Sequence, residues 1–317
     1  MLRYAAVLMG LVGVGCGGTA GTSDEIGTGI AAATGGAVVL AGNQDQPGAI
    51  ALDDSYVYFA VYGDDAAHGA IRRVAKTGGA VTTLADGEFV PGSLAVDATR
   101  VYWTANDPSQ SLSGAIRAVK KTGGTPVSLA SGLSSARALT SDATTLYFAT
   151  DKSIVGLSKA GGVPWPIAAA TCVQASASDS TTIYWTENCV LFPPQGIFAV
   201  SKLGGLPVVV STDAPGTLGA DGAFVYWDAD GVVEAQPRFG GLPLPLYSSG
   251  DWGTLGALDA TSLYLQVGET IARVPKSGGS ATTIWKGDFA PNAIAADGTH
   301  VYFDGGYPTG AVYSLRR

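Results

Sequence analysis

Apolar and polar residues alternate along this chain in short runs separated by glycine and proline, and one seven-residue phrase recurs among them. The phrase opens with Asp, reaches an aliphatic residue and then Tyr four and five positions later, and usually closes on an aromatic residue. Its seven copies are Asp53–Phe59, Asp97–Trp103, Asp142–Phe148, Asp179–Trp185, Asp221–Trp227, Asp259–Leu265 and Asp297–Phe303. Successive copies begin 37 to 45 residues apart, which is the period expected of one four-stranded blade in a β-propeller.

A second recurring element is a basic residue two positions before a Gly-Gly pair, and it predicts a hairpin turn in six of the repeats. Glycines between two apolar runs supply the positive φ angles that such turns need. Four strands, a to d, then fit into one repeat, for example 93–96, 101–105, 114–119 and 126–130. The basic residues are Lys76, Lys121, Lys159, Lys202, Arg238 and Lys276.

The two ends of the repeat array complement each other, which predicts a closed ring. The seventh copy stops at residue 317 before any Gly-Gly pair, and a matching strand d is found at residues 34–40. We therefore expect an all-β fold over residues 34–317, a seven-bladed β-propeller of four-stranded blades in which the N-terminal strand completes the last blade. Strands around a central channel need small side chains, and the position two before each Asp is small in every copy: Ala51, Ala95, Thr140, Ala177, Gly219, Ala257 and Ala295.

Residues 1–15 read as a secretory signal peptide. One basic residue, Arg3, precedes an apolar run that is too short to span a bilayer. The segment ends at Cys16 and resembles a bacterial lipoprotein signal, which implies that Cys16 is lipidated and that the protein is retained in the outer membrane. Residues 16–33 would then be a flexible tether. The alternative is ordinary secretion with cleavage near Ala20.

Two further cysteines are predicted to form a disulfide bond. Cys172 falls in the loop that joins strand d of one blade to strand a of the next, and Cys189 lies just after strand b of that next blade. Both connections emerge on the same face, and an exported protein meets an oxidising compartment.

The net charge of −8, from 26 acidic and 18 basic residues, is predicted to be distributed unevenly. The a–b and c–d turns share one face, here called the turn face, where the seven repeated Asp residues balance seven basic residues as turn chemistry with local ion pairs. Most of the remaining acids fall in the b–c and d–a loops of the opposite face, here called the loop face. A negative loop face suits cations or basic partners and argues against nucleic acid.

Two interpretations of the acidic loops stay open. One is simple solvation of exposed loops. The other is a calcium site, for which the oxygen-bearing candidates are Glu187, Asp228 and Asp230. No segment matches a complete calcium-binding loop, so no cofactor is expected, with calcium as the alternative.

Candidate ligand-binding residues lie around the channel mouth on the loop face. Five positions before each Asp, the expected ring contains Arg137, Gln174 and Asn292 but neither carboxylate nor His, which argues against a metal-dependent hydrolase on the axis. His68 and His300 are predicted on opposite faces, so His68 is at most a weak catalytic candidate and no catalytic residue is assigned. Exposed aromatic residues would add binding area. They are Phe89, Phe192, Trp252, Phe289 and Tyr307, of which Trp252 and Tyr307 join Arg137, Gln174, Asn292 and His68 as binding candidates.

The segments Val101–Thr104 and Ile183–Thr186, together with Gly-x-Ile-Arg stretches such as Gly69–Arg72, resemble the YWTD-like and NHL-like propellers, including those of bacterial lipoproteins. The chain differs from the receptor members in having seven repeats rather than six, and in lacking the Asp that closes the YWTD phrase. The resemblance implies a binding scaffold and transfers no catalytic residue.

The first functional hypothesis is therefore a lipid-anchored, non-enzymatic scaffold of the bacterial cell envelope. It would be a monomer that binds a protein, peptide or glycan on its acidic face and contacts the membrane only through the lipid anchor. Two alternatives stay open. One is a hydrolase or lyase with a site around Arg137, Trp252 and His68, and the other is a structural envelope protein.

Overall fold

The computed structural model describes residues 36–63, 68–107, 109–110, 112–189, 195–213, 216–248, 253–305 and 309–317. Within these residues, 28 β-strands form seven separate four-stranded antiparallel sheets. This is the seven-bladed propeller that the repeats predict. Nowhere in the described ranges is there a helix long and apolar enough to cross a membrane.

The strands follow one another in the order a, b, c, d within each blade. Blades 1 to 4 contain β2 Pro47–Leu52, β3 Tyr56–Val61, β4 Gly69–Ala75, β5 Thr82–Glu88; β6 Leu94–Val96, β7 Arg100–Ala105, β8 Gly114–Lys120, β9 Val127–Leu133; β10 Arg137–Ser141, β11 Thr145–Ala149, β12 Ser153–Ser158, β13 Trp165–Ala169; β14 Val173–Ser178, β15 Thr182–Asn188, β16 Gln195–Ser201 and β17 Val208–Ser211. Blades 5 to 7 contain β18 Leu218–Ala220, β19 Phe224–Ala229, β20 Val232–Pro237, β21 Leu244–Ser248; β22 Gly253–Leu258, β23 Ser262–Val267, β24 Thr270–Pro275, β25 Thr282–Lys286; β26 Ile294–Ala296, β27 His300–Gly305, β28 Thr309–Arg316 and the N-terminal β1 Val38–Asp45.

The last blade joins the two ends of the described chain. Strand β1 runs antiparallel to β28, with Val38 opposite Ser314 and Asp45 opposite Thr309. The sheet order is therefore β1-β28-β27-β26, and β1 takes the position of strand d. The predicted closure is confirmed, and it removes the two free sheet edges that an open array would leave.

Aromatic residues of strand b fill the spaces between neighbouring blades. Trp103 of blade 2 is fully buried in one cluster with Tyr58 and Ile71 of blade 1. Trp185 and Trp227 occupy the same position in blades 4 and 5 and are also fully buried. Large buried rings of this kind contribute much of the apolar area that holds the blades together.

The centre of the ring is lined by the predicted small residues. A cavity of about 400 Å³ is bordered by strand a of several blades and includes Ala177, Gly219, Ala257 and Ala295. A Cβ atom on Gly219 would lie 2.4 Å from Cδ2 of Leu258 in the next blade. A larger residue there would therefore require the Leu258 side chain to move.

The repeated Asp residues organise the a–b turns through both of their carboxylate oxygens. In blade 1, Oδ1 of Asp53 accepts hydrogen bonds from the backbone N–H groups of Ser55 (2.8 Å) and Tyr56 (2.7 Å). Oδ2 accepts from the hydroxyl of Tyr58 at 2.8 Å. The same pattern recurs in the other six blades, which explains why Asp and Tyr repeat at a fixed spacing.

The basic residues before the Gly-Gly pairs complete a ring of ion pairs around the turn face. Each one pairs with the turn Asp of the preceding blade, so the predicted pairs are present but join neighbouring blades rather than lying within one repeat. For the five lysines, the Nζ–Oδ2 distances are 2.6 to 3.3 Å. The seven pairs are Lys76–Asp297, Lys121–Asp53, Lys159–Asp97, Lys202–Asp142, Arg238–Asp179, Lys276–Asp221 and Arg317–Asp259.

This ring of ion pairs changes the titration of its carboxylates. Burial raises the pKa of Asp53, but hydrogen bonds from Lys121, the backbone of Ser55 and Tyr56, and the Tyr58 hydroxyl outweigh it and lower that pKa to about 2. The pKa values of Asp142 and Asp221 are also lowered to about 2 in the same way. The ionised form of each carboxylate is therefore favoured by the folded state.

Candidate functional site

A disulfide bond fixes the loop face at blade 4. Cys172 and Cys189 are linked, with their Cα atoms 5.3 Å apart. Cys172 lies between β13 and β14, and Cys189 directly follows β15. The predicted pairing is confirmed, and it ties the start of blade 4 to the outer end of its second strand.

A cavity opens on the loop face where blades 7 and 1 meet. It has a volume of about 620 Å³. Its walls come from the start of β2, from the residue after β3 and from the segment before β26. The lining residues are Gln46, Pro47, Gly48, Ala49, Tyr62, Phe289, Ala290, Asn292 and Ala293. This places the predicted ring residue Asn292 on a concave surface with Gly48, which lies at the same position, five before the repeated Asp, in blade 1.

Two residues give this cavity its shape. A Cβ atom on Gly48 would lie 2.7 Å from the Tyr62 ring, so glycine is needed to let that ring lie against the wall. Phe289 stacks on Tyr313 with ring centroids 5.3 Å apart and also packs near Trp285 at 5.0 Å. Phe289 therefore covers an aromatic cluster of blade 7 and also lines the cavity.

A buried carboxyl group, Asp304, lies behind this wall. Asp304 is fully buried in β27, and its Oδ1 accepts the backbone N–H groups of Asn292 (3.2 Å) and Ala293 (2.6 Å). Its Oδ2 has no hydrogen-bond partner among the described residues. Burial raises the pKa of Asp304 to about 7, and these two N–H groups only partly offset that effect. Burial also raises the pKa of Tyr62, and the negative charge of Asp304 adds to the shift.

The residues equivalent to Asp304 in other blades also form hydrogen bonds that hold the blade together. It directly follows the aromatic residue of the repeated phrase, and the equivalent residues include Thr186 and Asp228. The hydroxyl oxygen of Thr186 accepts the backbone N–H of Ala175 at 3.1 Å. Asp228 accepts a hydrogen bond from the Thr217 hydroxyl. A polar side chain at this position thus binds groups at the start of strand a, and Asp304 is the fully buried carboxyl example.

Several loop-face acids are engaged inside the protein. Glu187 is buried, and its Oε1 accepts the indole N–H of Trp185 at 2.9 Å. Glu88 is also buried, and it accepts the indole N–H of Trp103 (3.0 Å) and forms an ion pair with Arg117 (2.7 Å). Glu88 and Glu187 therefore serve as internal acceptors rather than as exposed loop charges, and Arg117 neutralises the charge of Glu88.

The calcium candidates occupy three different settings. Glu187 is buried in blade 4, and Asp228 is half-buried at the end of β19, where burial raises its pKa. Asp230 and Gly231 form the two-residue connection between β19 and β20, with φ angles of 50° and 79°. These angles are those of a tight hairpin turn. No group of three or more His, Cys, Asp or Glu residues with metal-binding geometry occurs within the described ranges.

The remaining predicted binding residues are spread around the loop face. Arg137 forms an ion pair with Asp151 at the start of blade 3. Gln174 is exposed and donates from Nε2 to the carbonyl of Cys172 at 3.3 Å. His68 directly precedes β4 on the loop face, whereas His300 begins β27 on the turn face, so the two histidines are separated as expected. Cys16, Phe192, Trp252 and Tyr307 lie outside the described residues.

One exposed surface was not identified from the sequence. The c–d turns and outer strands of blades 3, 4 and 5 carry apolar side chains that point into solvent, led by Leu203 (98% exposed) and Phe239 (90% exposed). We call this surface the apolar turn patch; its members are Val163, Trp165, Leu203, Leu206, Val208, Val209, Phe239, Leu242 and Leu244. The signal was present in the sequence, because Leu203 and Phe239 stand between the repeated basic residue and Gly-Gly, where other blades have a small or polar residue.

Comparison with known proteins supports the fold. No family model matches this chain, and no curated protein matches it. A puromycin-hydrolyzing peptidase of Mycobacterium tuberculosis is similar over 87% of this chain and 52% of its own, with a TM-score of 0.67 and 13% identity. The WD40 propeller domain of Doa1 is similar over 90% of this chain and 97% of its own, with a TM-score of 0.66 and 12% identity.

PorZ, a bacterial surface component of the type-IX secretion system of Porphyromonas gingivalis, is similar over 88% of this chain and 37% of its own (TM-score 0.63, 15% identity). The chain thus spans about half of the peptidase and little more than a third of PorZ. At these identities the similarity shows a shared β-propeller fold.

Proposed function

We propose that this protein is an exported, non-enzymatic binding scaffold that recognises a protein, peptide or glycan through its loop face. The observation that carries the proposal is the cavity of about 620 Å³ at the junction of blades 7 and 1, with the amide groups of Gln46 and Asn292 and the Tyr62 ring on its walls. Concave surfaces with a few polar groups among apolar ones are the usual form of ligand sites.

The chemistry around this cavity favours binding over catalysis. Asp304 has a pKa near neutrality, but it is fully buried behind the backbone N–H groups that it accepts. A hydrolase or lyase would need such a group to reach the substrate, together with a second acid, base or nucleophile within hydrogen-bond distance. The amide groups on the walls can orient a ligand but do not transfer protons, and burial, which raises the pKa of Tyr62, disfavours its action as a base.

The location that we propose is the bacterial cell envelope. The Cys172–Cys189 disulfide fits an oxidising compartment outside the cytoplasm. The lipoprotein-like signal would attach the protein to the outer membrane through Cys16. PorZ, which shares the fold, is described as a bacterial surface component. The YWTD-like phrases agree with a scaffold role, because that resemblance implies binding.

Site-specific photocrosslinking tests this function in the cells that produce the protein. A benzoylphenylalanine residue is placed singly at Arg137, Gln174 or Asn292 on the loop face, and at Thr122 on the turn face as the matched control. We expect a discrete cross-linked product from at least one loop-face position and a different or no product from position 122. Absence of any loop-face product in cells that express the full chain would overturn the proposal.

A further inference from the structure

The apolar turn patch is formed by side chains that the propeller fold does not require. In blades 4 and 5, Leu203 and Phe239 stand between the ring cation and Gly-Gly. The equivalent residues in blades 1, 2 and 6 are Thr77, Thr122 and Ser277. Because all six turns have the same backbone geometry, with both glycines at positive φ, the apolar choice in consecutive blades reflects something other than folding.

The most exposed members of the patch lie on the c–d turns, and Leu206, Val208, Val209 and Phe239 also border an open groove of about 440 Å³ between blades 4 and 5. Leu206 and Leu242 are 92% and 84% exposed, and Val163 in blade 3 is 87% exposed. Each of these three residues follows the Gly-Gly pair and precedes a proline. Proline restricts the backbone of the preceding residue to extended conformations, and these three side chains lie in solvent. Apolar side chains that are this exposed are suited to entering a fluid apolar phase.

The N-terminal segment joins the propeller from the same face. Strand β1 occupies the strand d position of blade 7, and its first residue, Val38, pairs with Ser314 near the turn-face end of β28. The described chain therefore begins on the turn face. Cys16 precedes Val38 by 22 residues in the sequence, so a lipid attached there would reach the domain from its turn face.

Charge on the turn face does not oppose contact with an anionic surface. The seven turn Asp residues are each paired with a basic side chain, among them Lys202 and Arg238 beside the patch. The exposed acid excess of the chain lies on the loop face. Electrostatic repulsion from lipid headgroups is therefore smallest in the orientation that points the patch toward them.

We propose that the apolar turn patch inserts into the surface of a lipid bilayer and orients the propeller with its loop face away from the membrane. The sequence alone led us to expect the lipid anchor to be the only membrane contact. Stable membrane attachment generally needs two signals, and the patch supplies a second one. Trp165, at the edge of the patch and 43% exposed, is suited to the headgroup region.

Depth-dependent quenching tests this orientation on the full chain bound to vesicles. The vesicles contain phosphatidylethanolamine and phosphatidylglycerol, with or without bromine on the acyl chains. A tryptophan is introduced by Phe239→Trp in the patch or by Thr122→Trp at the equivalent turn of blade 2. We expect the added fluorescence at position 239 to be quenched at least about threefold more strongly than that at position 122.

Serine substitutions in the patch test whether its apolar side chains are needed for binding to vesicles. Leu203→Ser, Phe239→Ser and Leu242→Ser together should reduce vesicle binding of a Cys16→Ala chain by about tenfold. Leu112→Ser, at an exposed apolar residue of the loop face, should leave binding unchanged. Equal quenching at the two turns, or equal binding by the triple variant and its parent, would overturn the proposal.

A second copy of the chain is the competing occupant of the patch. It would appear as a dimer in sedimentation equilibrium without vesicles, converted to a monomer by the triple serine variant, with no quenching at position 239. That result would overturn insertion into lipid but would leave the loop-face function untouched, because the loop-face crosslinks are measured independently of the patch.

Discussion

The two faces of this propeller use the same residue types in opposite ways. On the turn face, each Asp accepts the same backbone and Tyr hydrogen bonds and pairs with the basic residue of the next blade, seven times over. On the loop face, no single pattern is repeated through the described acids: Glu88 binds Arg117 and Trp103, whereas Asp304 is buried behind a cavity wall. Groups that hold a repeat protein together are copied with the repeat, whereas groups that distinguish one blade from another are candidates for function.

Acid should lower the free energy of unfolding mainly through the ion pairs of the turn face. Folded-state pKa values near 2 for Asp53, Asp142 and Asp221 lie below the usual value of 3.8. The stabilising contribution is therefore complete above about pH 4 and is lost as the pH falls toward 2. After allowance for solvent screening, each pair contributes about 0.5–1 kcal/mol, so seven pairs amount to roughly 3–7 kcal/mol. Urea unfolding at pH 6, 4 and 3 measures this loss, and a flat profile would show that the ring of ion pairs does not stabilise the fold.

Removal of the disulfide on the loop face should cause the next largest loss in the free energy of unfolding. Cys172 and Cys189 are 17 residues apart in sequence, and closure of a loop of this length stabilises by about 3 kcal/mol. Cys172→Ala with Cys189→Ala is compared with the intact protein by urea unfolding under oxidising conditions. The wild-type protein unfolded with a reductant is the control and should show the same loss. A difference below about 1 kcal/mol would mean that the bridge does not constrain this face.

Substitution of a single turn Asp should lower the free energy of unfolding far more than substitution of the acid beside it. Asp53→Ala removes the acceptor for Ser55, Tyr56, Tyr58 and Lys121 at once, so we expect the free energy of unfolding to fall by about 2–3 kcal/mol. Asp54→Ala, at the adjacent exposed residue, is the matched control and should change stability by less than about 0.5 kcal/mol. Similar losses for the two variants would contradict the role assigned to the repeated phrase.

Neutralising Asp304 should stabilise the protein in alkaline solution. The folded-state pKa of Asp304 is raised to about 7, so between about pH 4 and pH 7 the unfolded state loses its proton first and stability falls with rising pH. Asp304→Asn keeps an oxygen acceptor for Asn292 and Ala293 but removes the charge. We expect a gain of about 1–2 kcal/mol at pH 8 and almost none at pH 4, measured by urea unfolding. An equal effect at both pH values would show that charge burial at this position is not the cause.

The sequence predicts the repeated part of this molecule well. The small residues such as Ala177 and Gly219 do line the channel, and the seventh blade is closed by β1. Partners for the basic residues were harder to predict: Lys121 and Asp53 are 68 positions apart, and they meet because adjacent blades are rotated about a common axis. Local patterns cannot show that contact.

The parts that do not repeat were predicted less well, for two physical reasons. Glu88 and Glu187 look like solvated loop acids in the sequence, but each lies within reach of a buried indole N–H and accepts its hydrogen bond. Leu203 and Phe239 look like ordinary members of a turn motif, and their significance depends on exposure, which only the folded chain reveals. Asn292 was identified as a channel-mouth residue, but Asp304 behind it was not.

Amide hydrogen exchange of the full chain, with and without the partner recovered by crosslinking at Asn292, tests the central claim most directly. A scaffold that binds through its loop face should show slower exchange in residues 133–138, 171–174 and 289–293 when the partner is bound. The a–b turns around Asp53 and Asp97, on the opposite face, should exchange as before. Protection confined to those turns, or chemical conversion of the partner on mixing, would contradict the account.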